Sequence, residues 1–222
     1  MPSLVLKPRV GCCYVEGRYF FLDIDRNRYC TLPIRLHDAI RNVIAGSDID
    51  IDKSRELIKT GLFFSPKAIP MLATSDSMVS PRGSRVGRYK STRRFQQLYL
   101  FTVATLLLGL FHVAVKAIPL KRSVAICKAI GRTSGREAQT DNLQMCLTAF
   151  RRAALLFVRK DQCLPDALAL KAMLAFYGIP TKIVFGVRIN PFQAHCWVQQ
   201  DDFVLGQEIS TVRSFHPILT LP

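Results

Sequence analysis

Asp161-Gln162-Cys163-Leu164-Pro165-Asp166-Ala167-Leu168-Ala169-Leu170 opens an apolar run that ends at Tyr177-Gly178-Ile179-Pro180 and passes straight into Thr181-Lys182-Ile183-Val184-Phe185-Gly186-Val187. The change of period between these runs decides the fold. The first is a helix: Asp161 is a candidate N-cap, Pro165 belongs in a first helical turn, and Gly178 followed by Pro180 closes it. The second alternates as a strand, Asn190-Pro191 makes a turn, and residues 194 to 200 and 203 to 205 read as hairpin arms. Upstream the pattern is helical, over about 95 to 115, 123 to 130 and 141 to 158; Leu143, Met145, Cys146, Leu147, Phe150, Leu155 and Phe157 give the apolar face of the last. Helices first and strands second, with no βαβ alternation, give an α+β domain over 95–222.

Cys163 opens the apolar helix, and His195 lies 32 residues later in Ala194-His195-Cys196-Trp197-Val198. A cysteine and a histidine distant in sequence are the usual parts of a thiol nucleophile and its base. At the start of a helix a thiol feels the positive end of the dipole, which favours thiolate, while Asp166 in the first turn opposes it. A lone cysteine is more often a small buried apolar residue. The other helical cysteines, Cys127 and Cys146, keep that role, and so does Cys196, which alternates away from His195 in its strand. The same alternation puts His195 and Trp197 on one face.

A third group should orient the imidazole, and hairpin geometry offers two. With a three-residue loop, Gln200-Asp201-Asp202, His195 faces Gln207; with a two-residue loop, Asp201-Asp202, it faces Glu208. A carboxylate stabilises the imidazolium, whereas an amide only orients the ring.

Toward the amino terminus, residues 10 to 15, 18 to 22 and 29 to 32 read as strands separated by Glu16-Gly17 and Asp25-Arg26-Asn27. Pro33 opens a helix closed by Gly46, and Ser47-Asp48 with the acidic run after it can cap a second, ended by Gly61. Strands followed by short helices describe a small winged-helix-like module over 1–65. Between 66 and 94 the periodicity fails, and residues 81 to 94 carry six Lys or Arg without one acid. That stretch is a basic linker.

The net charge of +15 predicts attraction to acidic partners without choosing among nucleic acid, anionic lipid and acidic peptide. Seven cysteines with no C-x-x-C pair support neither a disulfide framework nor a zinc site, so no metal is expected and a reducing cytoplasm fits. The run from 95 to 115 matches a spanning helix in length. Its Gln96, Gln97, Thr102, Thr105, Gly109 and His112 dilute it and basic residues flank both ends, so a buried or partner-facing helix is favoured over membrane contact.

Cys163-Leu164-Pro165-x-x-Leu168-Ala169-Leu170, Tyr177-Gly178-Ile179-Pro180, Phe185-Gly186-Val187-Arg188 and Pro191-Phe192-x-Ala194-His195-x-Trp197-Val198 together resemble the lasso-peptide maturation proteases known as B proteins. The amino-terminal Gly17-x-x-Phe20-Phe21-Leu22-Asp23, with Tyr29 and Leu32, is similar to their PqqD-like leader-recognition element. The resemblance implies a papain-related, transglutaminase-like cysteine protease domain that cleaves leader from core of a ribosomal precursor peptide. Its implied partner is a cyclase resembling asparagine synthetase. It further implies that the leader adds a strand at Tyr29, Cys30, Thr31 and Leu32 and packs on the helix that carries Leu57. The family's third catalytic member is usually an Asp, where this chain has Gln207, with Glu208 one residue on. Related maturations depend on ATP, but no Gly-x-x-x-x-Gly-Lys-Ser/Thr loop is present and no cofactor site is visible.

Three rival readings share these residues. A basic winged-helix-like protein could hold DNA, but the region 49 to 52 that would read it is acidic, so no nucleic acid is expected. A scaffold could present the precursor to the cyclase without chemistry, as the missing Asp suggests. The same Cys–His pair could also serve transamidation or amide hydrolysis.

Overall fold

The computed structural model describes residues 4–66, 80–87, 94–132, 140–157 and 162–222. The chain divides into two compact units, the first comprising 1–78 with 216–220 and the second 79–215 with 221–222.

In the first unit β1 (Val5–Leu6) pairs antiparallel with β5 (Phe63–Phe64). A separate meander joins β2 (Val10–Val15), β3 (Arg18–Asp23) and β4 (Arg28–Thr31) in that spatial order. Val15 faces Arg18 across Glu16 and Gly17, both at positive φ, the geometry of a two-residue hairpin turn whose twist matches the strands. Asp23 accepts from the Arg26 backbone N–H at 3.1 Å and so shapes the second turn. Pro33 precedes a 3-10 turn over Ile34–Leu36, from which α1 (His37–Ala45) continues to Gly46 at φ 69°. The helix α2 (Ile51–Lys59) is capped by Asp50, in the acidic run after Ser47-Asp48; its side chain accepts from Lys53 N–H. Phe21, Ile40, Leu57 and Leu62 are fully buried in this unit's core. Leu57 is therefore a packing residue, and the sequence expectation that it contacts a leader peptide is corrected: no part of it reaches the surface.

The second unit is built on α6 (Cys163–Phe176), buried on every side from Ala167 to Leu174. Three helices pack on it: α3 (Arg94–Ala117), α4 (Leu120–Arg132) and α5 (Thr140–Ala154). On α3, Leu100, Ala104, Leu108 and Phe111 form the buried face while the opposite face stays exposed, so the helix expected to be buried or partner-facing is buried on one side only. The hairpin β7 (Lys182–Arg188) and β8 (Gln193–Gln200) covers α6, and β9 (Phe203–Leu205) continues antiparallel to β8. Within the span 66–94 read as linker, Gly83–Arg85 forms strand β6, parallel to β9. Arg85 lays its guanidinium over the Phe203 ring at 4.4 Å, which fastens that strand. Residues 67–79 and 88–93 of the same span lie outside the described residues. The chain ends through α7 (Ile209–Val212) and β10 (His216–Leu221).

Candidate functional site

Cys163 is the first residue of α6, so its sulfur stands at the positive end of a helix that the core holds rigidly. The N-cap is Gln162, whose side chain makes no capping bond. Asp161, the expected cap, lies outside the described residues.

His195 is the third residue of β8 and pairs with Gly186 of β7. A Cβ built on Gly186 would lie 2.8 Å from Cζ3 of Trp197 and 3.1 Å from Cβ of Phe215, so only glycine lets these rings close in. Trp197, on the His195 face as alternation requires, sits with its ring nearly parallel to the imidazole at 6.2 Å, and Phe215 approaches at 5.1 Å. The imidazole thus packs against two aromatic rings that restrict its rotation.

Gln207 supplies the polar contact. His195 Nε2–H donates to Gln207 Oε1 at 2.9 Å, which leaves Nδ1 as the ring nitrogen for Cys163, to which His195 is also hydrogen-bonded. The hairpin does not bring the residue that its loop length selects. Gln200 faces Phe203, so the loop is the two-residue form that was expected to bring Glu208 opposite His195. However, β9 stops at Leu205, Gly206 turns away at φ 79°, and the broken register delivers Gln207 instead. Glu208 precedes α7 as an exposed residue.

Seven cysteines are present and they do not behave alike. The Cys163 thiol is lowered to about 4, chiefly by a hydrogen bond from the Cys196 side chain. Burial opposes the shift, and bonds from the His195 ring and the Cys196 backbone, with the imidazolium charge, reinforce it. His195 loses by burial, yet its bonds to Cys163 and Gln207 and the thiolate charge outweigh that loss and raise it above its ordinary value. The Cys196 thiol is pushed well up, first by its bond to Cys163 and then by burial. Sequence reasoning set Cys196 aside because it alternates away from His195. Strand alternation says where a side chain starts, not whether a neighbouring helix brings a sulfur to it. Cys127 and Cys146 are buried without such donors, and burial pushes them up to about 11 and 12.

Cys163, His195, Cys196 and Gln207 line one cavity of about 410 Å³, together with Gln162 and Asp166. The ensemble can hold a thiolate–imidazolium pair beside a space for a peptide carbonyl. Among the described residues no group of three or more His, Cys, Asp or Glu is arranged for a metal ion. In the first unit, Tyr29, Cys30 and Thr31 lie on β4, the edge strand of its sheet, and Leu32 follows it; Thr31 is exposed and the others half-buried.

A family model described as the transglutaminase-like superfamily matches residues 105–220, a span that includes Cys163, His195 and Gln207. No curated protein and no solved structure matches the chain.

Proposed function

The chain belongs to the transglutaminase-like superfamily, and from that premise we propose that it is a cysteine peptidase removing the leader from a ribosomal precursor peptide, as in lasso-peptide maturation. The observation that carries this reading is the continuous hydrogen-bonded path Cys163–His195–Gln207 at the mouth of a cavity. The superfamily generally includes cysteine proteases with Cys-His-Asp triads.

In this mechanism the Cys163 thiolate attacks the scissile carbonyl, and the carbonyl π electrons move to oxygen to give a tetrahedral oxyanion. His195 Nδ1–H protonates the leaving amine as the C–N bond breaks, releasing one fragment and leaving a thioester. Neutral His195 then takes a proton from water, whose oxygen attacks the thioester and restores the thiolate. Pro165 has no N–H, and the Asp166 N–H bonds back to Gln162 O at 3.2 Å, so the backbone N–H groups of Cys163 and Leu164 remain as oxyanion donors at the helix start. Gln207 keeps Nε2–H directed away from the sulfur. It carries no charge, so the thiolate–imidazolium pair leans on Cys196 for the stabilisation that a carboxylate gives elsewhere.

The first unit, read as a winged-helix-like PqqD-type module, offers the edge of β4 for a leader strand, and the +15 charge favours an acidic leader. An asparagine-synthetase-like cyclase would take the freed core amine. ATP dependence is carried by the resemblance alone.

Mass spectrometry of the precursor encoded nearest this gene, incubated with the purified protein and with Cys163→Ala, tests the proposal. Leader release by the native protein and none by Cys163→Ala supports it. Equal cleavage by both removes Cys163 from the mechanism, and tight binding without cleavage by either assigns a scaffold.

A further inference from the structure

The exposed face of α3 is apolar along its length. Phe95, Leu98, Tyr99, Leu106, Leu110 and Val113 are all solvent-exposed, Phe95 at 91%. At 100° per residue they fall within one stripe, and from Phe95 to Val113 that stripe runs about 27 Å at 1.5 Å per residue. A second element extends it. His112 of α3 stacks on Phe157 at 5.2 Å, and this brings the turn after α5 alongside, with Leu155 exposed at 82% and Leu156 beside it. The turn packed beside α3 thus adds large exposed apolar side chains to those of the stripe, an amount of apolar surface that monomeric soluble domains rarely leave bare.

Charge narrows what covers the patch. Residues 77 to 136, which contain α3 and α4, hold twelve Lys or Arg and no Asp or Glu. Lys116, Lys121 and Arg122 are exposed where α3 passes into α4, and Arg151 and Arg152 are exposed just before Leu155. A second copy would set basic rim against basic rim at +15 per chain, which opposes self-association. Nucleic acid would meet the basic rim but leave the apolar stripe uncovered. A spanning orientation fails as well, because Leu100, Ala104, Leu108 and Phe111 on the other face are packed into protein.

We propose that the α3 stripe, with Leu155 and Leu156, docks the protein lengthwise on an anionic lipid bilayer, apolar side chains in the acyl boundary and the basic rim against the headgroups. Aromatic Phe95 and Tyr99 at the amino-terminal end suit the level where ring and headgroup meet. This inference concerns binding and stands whether or not the cavity cleaves a leader.

Co-sedimentation of the full chain with vesicles tests it, using phosphatidylcholine alone and phosphatidylcholine with about one third phosphatidylserine. The expected result is binding to the anionic vesicles only. It should weaken about tenfold in Leu106→Glu/Val113→Glu, whose thermal unfolding is compared with the native protein, and weaken likewise in Leu155→Glu. Raising salt to about 0.5 M should also release it. No binding to anionic vesicles overturns the proposal. Salt-sensitive binding that both Glu variants retain also overturns it, since charge alone would then suffice. A dimer dissolved by Leu106→Glu/Val113→Glu gives the stripe to a second copy, and loss of binding to a purified acidic protein in place of vesicles gives it to that protein.

Discussion

Cys146 in the middle of α5 and Cys163 at the start of α6 belong to the same unit, and both are largely withdrawn from solvent. Burial alone acts on Cys146 and pushes its thiol up to about 12. Cys163 is only partly exposed, where it lines the cavity, and burial raises it too; it is nevertheless held at about 4, because the Cys196 side chain, the His195 ring and the Cys196 N–H all donate to its sulfur. An interior disfavours charge only where nothing replaces the lost water, and ordered donors replace it. The contrast between a thiol pushed up and a thiol held down therefore lies in the donors around the sulfur. The partial exposure of Cys163 at the cavity adds access, which Cys146 lacks.

Removing the strongest contributor to the chemistry should break the contrast most. In His195→Ala the proposed base, one donor and one positive charge vanish together, and the proposed leader cleavage should fall by roughly 10²–10⁴-fold. Followed by iodoacetamide labelling against pH, the Cys163 midpoint should rise from about 4. The sign follows from the thiolate being the reactive form: a depressed pKa makes it present above about pH 4, and losing a donor shifts that limit upward. Unchanged labelling and cleavage would remove His195 from the site.

Cys196→Ala removes the largest single donor to the sulfur but leaves the imidazole and the Cys196 backbone donor in place, so its effect on cleavage is smaller. Losing one charge-assisted bond should raise the labelling midpoint by roughly one to two pH units. Cys146 should stay unlabelled in the folded protein throughout. A midpoint that does not move would mean that Cys196 is not what distinguishes the two cysteines.

The smallest effect is expected at Gln207, which acts on the ring and only through it on the sulfur. Gln207→Ala should slow cleavage roughly fivefold, about 1 kcal/mol for the net loss of one hydrogen bond. Its Cys163 midpoint should shift less than that of Cys196→Ala, and Glu208→Ala should leave both readings alone. The reverse pattern, with Glu208→Ala impaired and Gln207→Ala unaffected, would reassign the orienting role.

Much of the architecture was legible because it depends on local periodicity. The helical spacing to Phe176, the stop at Gly178 and Pro180, the strand from Lys182 and the Glu16-Gly17 turn follow from side-chain period and backbone freedom. The Cys163 and His195 positions were legible for the same reason: one opens a helix and the other falls on a defined strand face. Strand β6 was not, since Gly83–Arg85 is three residues long in a charged stretch and exists only because β9 pairs with it. Leu57 was misread because an amphipathic helix shows which side chains share a face but not whether that face meets the core or a ligand.

From sequence alone came an α+β chain with a nucleophile candidate at a helix start, a base candidate in a strand, and two candidates for the residue that orients it. Tertiary structure alone chose Gln207, recruited Cys196 to the sulfur and left one face of α3 bare. The physical reason is common to all three. Each depends on where a strand ends or how two elements pack, and those distances are set by contacts between residues far apart in the chain, which no local pattern encodes.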